Sequence, residues 1–386
     1  MGLRPPIVGD RPALGKHTRM TLIINNKEVA QLLTMGMAIE ALEGAYAQLV
    51  RGEAVCRPRI DIDIPTRDPA RLYRWGTMEG GSTSGYFAIR MKSDIVYEQE
   101  YNGVRTREKY CTRPGLYCGL VLLTDVQTGE PLAFLNDGVL QQMRVGADSG
   151  IGLKYMARED AATVGMLGSG GMARTHMAAF MHVRPGIRRL QVFSPTRANR
   201  EAFGREMAAL YGIEVEVLER PQDIYRGADI VAAVTDSSKP VLNGELLEKG
   251  THVVNIGGSG RPDEATIARI DAYLRFGNAT APEGFDGPAT EDEHITYAAK
   301  PDRSGGQAKK PRAHGAITAA NMMTFEDIVN GKRSGRTSPG QISYSERGNL
   351  QGNQFWAVAG KVYELARQQG LGREIPTEWF LQDIRN

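Results

Sequence analysis

The sequence predicts an α/β protein, with a doubly wound parallel sheet in its second half and a second, α+β domain built mainly from its first half. From Ala161 onward, short apolar strands alternate with amphipathic helices, which requires crossover connections and a parallel sheet. A glycine-rich turn joins the first of these strands to its helix. Before Ala161 the strand-like segments follow one another directly and two of them are joined by a short turn, as in antiparallel hairpins.

The composition is that of a folded protein and excludes several function classes. The 386 residues are enough for two domains, and 41% of them are apolar and 24% charged. The net charge is only +2 and no apolar run reaches membrane-spanning length, so we expect neither a nucleic-acid nor a membrane partner. The six histidines have no ligand spacing, so we expect no metal. Three cysteines without a second ligand pair, and no apolar leader, predict reduced thiols in the cytoplasm.

The elements of the first half are predicted in order after an arm of about 20 residues. Apolar spacing of three and four residues predicts a helix over 35–53. Strands are predicted at 59–64, 85–97 and 115–125, and the last continues through the turn 127–130 into a further strand. A helical segment over 137–157 leads into the alternating half.

The second half begins with the buried strand Thr163–Leu167 and is predicted to contain six strands. The further strands are expected at 189–194, 214–219, 228–235, 251–258 and 271–278, with helices over 172–183 and 196–212. The polar segment 281–315 is expected to be a surface excursion, either a solvated loop or a lid. An amphipathic helix over 353–370 is expected to pack back on the first domain.

The turn Gly168-Ser169-Gly170-Gly171-Met172-Ala173 has the form GxGxxA and lies between a buried strand and a helix. In this context it predicts a dinucleotide-binding Rossmann domain. Gly168 permits the tight turn, Gly170 lets the backbone approach a pyrophosphate, and Ala173 permits close packing of helix on strand. The amides at the start of the helix would hold the phosphates, because the helix dipole favours anions there.

The end of the second strand indicates the type of cofactor. An acidic residue there would bind the ribose 2′-hydroxyl of NAD, but Ser194, Thr196 and Arg197 stand in its place, with Arg200 one turn later. Hydroxyls and arginine without a carboxylate favour the 2′-phosphate of NADP. Arg197 also fits a solvated charge at a helix start, so NAD stays as the alternative. The predicted cofactor site further includes Thr235, Gly257 and Ser259.

The segment 143–180, MRVGADSGIGLKYMAREDAATVGMLGSGGMARTHMAAF, resembles the ornithine cyclodeaminase/mu-crystallin family, in which an arginine-bearing helix leads into the fingerprint strand. The hairpin TDVQTGEPLAFL and the closing helix KVYELARQQGLG extend the likeness. The resemblance implies a homodimer with a substrate and dimerisation domain over 20–148, on which 340–386 packs back, and an NAD(P)-binding Rossmann domain over 149–339.

The resemblance also implies a substrate site. Two arginines of the family clamp the substrate carboxylate beside a lysine, and the matching positions are Arg59, Lys92 and Arg144. Two guanidinium groups would fix the position and orientation of a carboxylate, and Lys92 would be the catalytic proton donor to an imine or carbonyl. Arg57 is an alternative to Arg59, because no spacing rule separates them.

One departure from the cyclodeaminase pattern bears on the reaction. The family's cyclodeaminases carry an Asp after the two glycines of the fifth strand, where this chain has Ser259, and a hydroxyl cannot act as a carboxylate base. Asp263 is expected to cap the following helix. The resemblance therefore implies an NAD(P)H-dependent imine reductase or amino-acid dehydrogenase acting on a carboxylate-bearing small molecule. The alternatives are a cyclodeaminase-like ammonia-lyase with tightly bound NAD, and a non-catalytic NADP-binding protein resembling mu-crystallin.

Overall fold

A computed structural model of the protein describes residues 19–101, 104–237, 239–256, 262–281, 294–300 and 322–384. The predicted arm, the candidate cofactor residues Gly257 and Ser259, and most of the segment 281–315 lie outside these ranges. Within them, no helix is long and apolar enough to cross a membrane.

The described strands and helices are as follows in chain order. The strands are β1 (Met20–Ile24), β2 (Ala54–Cys56), β3 (Arg59–Pro65), β4 (Arg71–Ser82), β5 (Tyr86–Tyr101), β6 (Val104–Tyr110), β7 (Cys118–Asp125), β8 (Pro131–Asn136), β9 (Thr163–Leu167), β10 (Arg189–Phe193), β11 (Glu214–Val217), β12 (Ile230–Ala233), β13 (His252–Asn255), β14 (Ala272–Arg275), β15 (His294–Ala298), β16 (Met322–Thr324), β17 (Ser343–Glu346) and β18 (Arg373–Pro376). The α-helices are α1 (Asn26–Leu32), α2 (Met35–Val50), α3 (Gly138–Met156), α4 (Gly171–Val183), α5 (Arg197–Tyr211), α6 (Glu264–Ile267), α7 (Phe325–Val329) and α8 (Gln351–Gln369).

The first sheet is mostly antiparallel and has the order β15-β3-β4-β5-β7-β8-β1-β18, with β2 beside β4 and β6 beside β5. Side chains of a strand alternate between its faces, and on β5 the residues Ala88, Arg90, Lys92, Asp94 and Val96 are buried on one face. Helix α8 packs against β4 and β5 on the inner side of the sheet, and α2 packs against α8. This alternation directs the charged side chains of β5 into the protein.

The second sheet is entirely parallel among its described strands and has the order β11-β10-β9-β12-β13-β17-β14-β16. The strand order reverses at β9, so the carboxyl ends of β9 and β12 flank the crevice where doubly wound folds bind ligands. Helix α3 connects the two sheets, because it packs on α2 and α8 as well as on α4 and β17. One hydrophobic cluster runs through these helices into both sheets. The predicted fold class is confirmed.

Three sequence-based expectations need correction or completion. The parallel sheet contains β16 and β17 in addition to the six predicted strands, because strands of three and four residues are too short to give a periodic signal. β17 also lies beyond residue 339, where the predicted Rossmann domain ends. Within the expected surface excursion, β15 pairs in parallel with β3 of the first sheet. The helix cap was predicted correctly, since the Asp263 side chain accepts a hydrogen bond from the Thr266 amide.

Candidate active site

A cavity of about 330 Å³ lies between the inner face of the first sheet and the carboxyl ends of strands in the second sheet. It is lined by side chains from both sheets and from the helix between them. The described lining residues are Arg59, Met78, Arg90, Lys92, Lys109, Gln141, Arg144, Val145, Asp148, Ser149, Met172, Val254, Asn255, Ile256, Tyr344, Ser345, Glu346, Arg347 and Gln351. The cavity thus brings together the three predicted substrate residues and the first turn of α4.

Lys92 is a buried cation with an unusual pKa. Its Nζ lies 2.8 Å from Oδ2 of Asp94, two residues along β5, and both side chains are buried. Burial lowers the pKa of Lys92 to about 7, and the positive charge of Arg59 acts in the same direction. Gly76 lies opposite Lys92 on β4, and a Cβ there would be 2.7 Å from Lys92 Cε. A lysine poised near neutrality can both donate and accept a proton.

Arg59, not Arg57, lies at the cavity. Arg59 begins β3 and its Nε donates to Oδ1 of the fully buried Asp61 at 2.8 Å. Arg57 precedes the strand, is half exposed and pairs with Glu79 at 2.7 Å, outside the cavity lining. Burial lowers the pKa of Arg59, although this guanidinium remains a cation at neutral pH. The geometry thus favours Arg59 over Arg57 as the substrate-binding candidate.

Arg144 is buried on α3 without a directly paired carboxylate among the described residues. Its Nη1 donates to Oε1 of Gln354 at 2.5 Å, and its Nη2 donates to Oε1 of Gln141 at 2.8 Å. The guanidinium carbon lies 5.0 Å from the centre of the Phe355 ring. Burial lowers the pKa of Arg144 well below its usual value. A buried cation held by neutral amides has most to gain from a bound anion.

Asp148 is a cavity residue that sequence reasoning missed. It lies one helical turn after Arg144 on α3, and its Oδ1 accepts hydrogen bonds from the Tyr46 hydroxyl and, at 2.9 Å, from Gln354 Nε2. Burial raises the pKa of Asp148, while the nearby arginines act against that shift. Gln354 contacts both Asp148 and Arg144, so it couples the two side chains. The sequence signal that could have identified Asp148 is its spacing of four residues from Arg144, which places both on one face of a helix.

Other missed cavity residues come from segments without a recognisable motif. Arg90 pairs with Asp137, and its guanidinium carbon lies 5.6 Å from the centre of the Phe355 ring. Lys109 projects from β6, and Arg347 follows β17. The only sequence signal for β6 is the alternation of its charged residues. That periodicity does not determine which face of the strand lines a cavity.

The glycine-rich turn has the geometry of a dinucleotide site. β9 ends at Leu167 and α4 begins at Gly171. Gly168 has a φ of +124°, and a Cβ there would lie 2.3 Å from the carbonyl oxygen of Val234, so only glycine fits. At Gly170 the space around a Cβ position is open, with no atom within 4 Å. The open space over the start of a 13-residue helix suits a pyrophosphate, and the residues present therefore fit a dinucleotide.

The other predicted residues of this turn have distinct surroundings. Ser169 Oγ lies 2.8 Å from Ser194 Oγ, and Gly171 packs against the Gln142 side chain. Ala173, in the first turn of α4, is fully buried. Met172 lines the cavity, so this end of the turn adjoins Arg144 and Lys92. Thr235 follows β12, and its Oγ1 accepts from the Ser237 amide at 3.2 Å.

A buried histidine fixes the fingerprint helix to the helix that carries Arg144. His176 Nδ1 donates to the Met172 carbonyl at 2.6 Å, and its Nε2 accepts from Ser149 Oγ at 3.0 Å. Burial lowers the pKa of His176 to about 4, so the ring is neutral near pH 7. The helix of the dinucleotide turn and the helix that carries Arg144 are therefore joined through His176.

The two arginines after β10 differ in whether they can bind a ligand. Arg200 is buried, donates to the Ser194 carbonyl at 2.8 Å and pairs with Glu219 at 2.5 Å. Arg197 at the start of α5 is 72% exposed and pairs with the exposed Glu201 at 2.7 Å. Arg197 can therefore leave its partner for a ligand at little cost, whereas Arg200 cannot.

The Gly170→Ala variant tests the dinucleotide site. We expect it to fold with an unchanged melting temperature, since its φ of −86° and the open space tolerate a methyl group. The methyl would occupy the space of the pyrophosphate, so the dissociation constant of the nicotinamide cofactor should rise about tenfold or more. Calorimetric titration with the cofactor measures the change. Gly44→Ala, also without atoms around its Cβ position, is the control. Equal cofactor affinity in both variants would contradict the assignment.

A Rossmann sheet joined by an arginine-bearing helix to a cationic cavity defines a two-domain, dinucleotide-dependent enzyme. The profile of the ornithine cyclodeaminase/mu-crystallin family matches residues 19–369, and the chain belongs to this family. The resemblance drawn from the sequence is thereby confirmed.

The chain is similar to reductases and dehydrogenases of that family. It is 30% identical to a Δ1-pyrroline-2-carboxylate reductase of Bacillus cereus over 92% of this chain and 99% of the relative. The structure of the Thermococcus litoralis Δ1-pyrroline-2-carboxylate reductase with NADH and L-proline matches with a TM-score of 0.70 and 22% identity, over 92% of this chain and 100% of that one. An archaeal alanine dehydrogenase dimer with bound NAD matches with a TM-score of 0.69 and 22% identity, over 92% and 99%. The predicted enzyme class, a nicotinamide-dependent oxidoreductase, is confirmed.

Proposed function

We propose that the protein reduces carboxylate-bearing imines with a nicotinamide cofactor, and that it oxidises the corresponding amino acids in the reverse direction. The observation that carries this proposal is Lys92, a lysine with a pKa of about 7 in the same cavity as Arg144 and the first turn of the fingerprint helix. The named activity of the Bacillus cereus relative supports the same reaction class.

Two arginines orient the substrate in this proposal. Arg144 presents a buried guanidinium that no described carboxylate neutralises by direct contact, and Arg59 lines the same cavity. Together they would bind the α-carboxylate through parallel hydrogen bonds. This binding fixes the α-carbon relative to Lys92 and to Met172.

Lys92 is the proton donor in this proposal. In the reductive direction its ammonium hydrogen-bonds the imine nitrogen and protonates it, while Asp94 holds the ammonium in place. The bound cofactor supplies the hydride that reduces the α-carbon. Lys92 and Arg144 are both buried, so their side of the cavity limits the contact of bulk water with the imine.

NADPH is the cofactor that we propose, since no carboxylate occupies the position after β10 and the exposed Arg197 can turn to a 2′-phosphate.

We also propose a homodimer. The outer face of the first sheet carries partly exposed apolar residues, which a second copy would cover. They are Val55, Ile62, Ile64, Leu120, Ile295 and Tyr297. We propose a cytoplasmic location as well, because three cysteines without a second ligand pair are expected to be reduced thiols.

The test is an absorbance assay at 340 nm with purified protein. We expect NADPH to be consumed with Δ1-pyrroline-2-carboxylate, or with 2-oxo acids plus ammonia, and more slowly when NADH replaces it. Consumption with NADH alone would reject NADP specificity but keep the reductase. Release of ammonia from an amino acid at constant absorbance would indicate a lyase instead. Tight NADPH binding without either reaction would favour a binding protein.

A further inference from the structure

The cavity carries more positive charge than one carboxylate needs. Six cationic side chains line it, and three of them are neutralised by carboxylates behind the wall. These pairs are Arg59 with Asp61, Arg90 with Asp137, and Lys92 with Asp94. Of the lining carboxylates, Asp148 is held by Tyr46 and Gln354, and Glu346 by Arg275. Of the three remaining cations, Arg347 is close enough to Asp148 for its charge to favour that carboxylate. Two cations are then left without a carboxylate partner in the described part of the chain.

These two cations are Arg144 and Lys109, which lie on different elements. Arg144 on α3 bonds only amide oxygens through its two terminal nitrogens. Lys109 on β6 forms no ion pair within the described part of the chain and is exposed to the cavity and to solvent. Its charge is close enough to Lys92 to contribute to the lowered pKa of that residue. Lys109 is therefore a cation close to Lys92 without an ion-pair partner among the described residues.

Strand β6 holds Lys109 in place across the cavity. It pairs along β5, where Lys109 lies opposite Val96, whose side chain faces the interior. Thr106, further along the same strand, forms a β-bridge with Ser237 in the segment that follows β12. The hairpin is thus attached to both sheets, and Lys109 has a defined place in the cavity wall.

We propose that the substrate carries a second acidic group, so that the enzyme acts on an imino dicarboxylic acid, and that Lys109 binds the distal carboxylate while Arg144 and Arg59 bind the proximal one. This inference rests on the proposed reductase function and names its substrate class. A second carboxylate balances the remaining charge, and a charge-assisted hydrogen bond contributes about 1.5–3 kcal/mol, or roughly a tenfold to hundredfold preference.

The test compares acids of equal chain length, with and without the distal carboxylate. The pairs are oxaloacetate with 2-oxobutanoate and 2-oxoglutarate with 2-oxopentanoate, each with ammonia and the preferred cofactor. We expect kcat/KM to be about tenfold or more higher for the dicarboxylic member of at least one pair. In Lys109→Gln that ratio should fall close to one, because KM rises for the dicarboxylic member of the pair and not for the monocarboxylic one. Glu108→Gln, the neighbour on the opposite face of β6, should keep the ratio.

The outcomes separate the two proposals. Equal or better use of the monocarboxylic acids, or a loss in Lys109→Gln that is the same for both members of a pair, would overturn the second-carboxylate site and leave the reductase intact. If no acid is reduced, the reductase proposal fails, and calorimetric titration of the cofactor-loaded protein still tests the site. Succinate should then bind the wild type about tenfold more tightly than butyrate and bind Lys109→Gln no better than butyrate. Equal binding of succinate and butyrate by the wild type would refute it.

Discussion

Lys92→Met is expected to lower kcat for imine reduction by a factor of about 100 to 10,000, with a small change in KM. Methionine keeps most of the aliphatic stem of Lys92 but removes the proton that the imine nitrogen needs. The α-carboxylate contacts of Arg144 and Arg59 are separate, so substrate binding should survive. Initial rates at saturating cofactor, together with calorimetric binding of the cofactor, measure the two effects. A large rise in KM with unchanged kcat would show that Lys92 binds the substrate without donating a proton.

The role of Lys92 also predicts the direction in which kcat changes with pH. Lys92 has a pKa of about 7 instead of 10.5, because burial and the charge of Arg59 disfavour the ammonium. Imine reduction needs the ammonium, so its kcat should fall as pH rises through about 7. Amino-acid oxidation needs the neutral amine, so its kcat should rise over the same range. Profiles in both directions should lose these slopes in Lys92→Met, and slopes that persist would assign the titration to another group.

The fold was largely predictable because its signals are local. The bounds of β9, Thr163–Leu167, coincide with the sequence-based ones, since a short apolar strand is bounded by turn residues on both sides. α2 and α8 follow from the spacing of their apolar residues. β17 was missed because Ser343 and Tyr344 are buried by their neighbours in the sheet, not by a pattern of their own.

The substrate cavity was predictable only in part, because it depends on strand register. Arg59 and Arg57 differ by two residues, and only the start of β3 and the buried Asp61 decide which one lies at the cavity. Lys109 depends on a hairpin whose attachment to Ser237 brings together residues more than a hundred positions apart. A sequence without its pairing partners does not specify such contacts.

Arg144→Lys is expected to raise KM for the substrate about 100-fold, with a smaller change in kcat. The guanidinium of Arg144 uses separate nitrogens for Gln354 and Gln141 and retains its planar face against Phe355. An ammonium is a point charge on a thinner stem, so it cannot keep both amide bonds and also bind a carboxylate bidentately. Steady-state kinetics with the substrate, beside the melting temperature, separates a binding defect from misfolding.

Arg90→Lys is the matched control, because Arg90 lies in the same cavity and near the same Phe355 ring. Its charge is already neutralised by Asp137, and a lysine can keep that ion pair. We therefore expect KM to change by less than about threefold in Arg90→Lys. If the two variants weakened substrate binding equally, a guanidinium would be needed at both positions, and the uncompensated guanidinium of Arg144 would not be the particular group that holds the carboxylate. If neither variant changed KM, the bidentate binding of the carboxylate by the Arg144 guanidinium would be refuted, and the proposed orientation of the α-carbon toward Lys92 would fail with it.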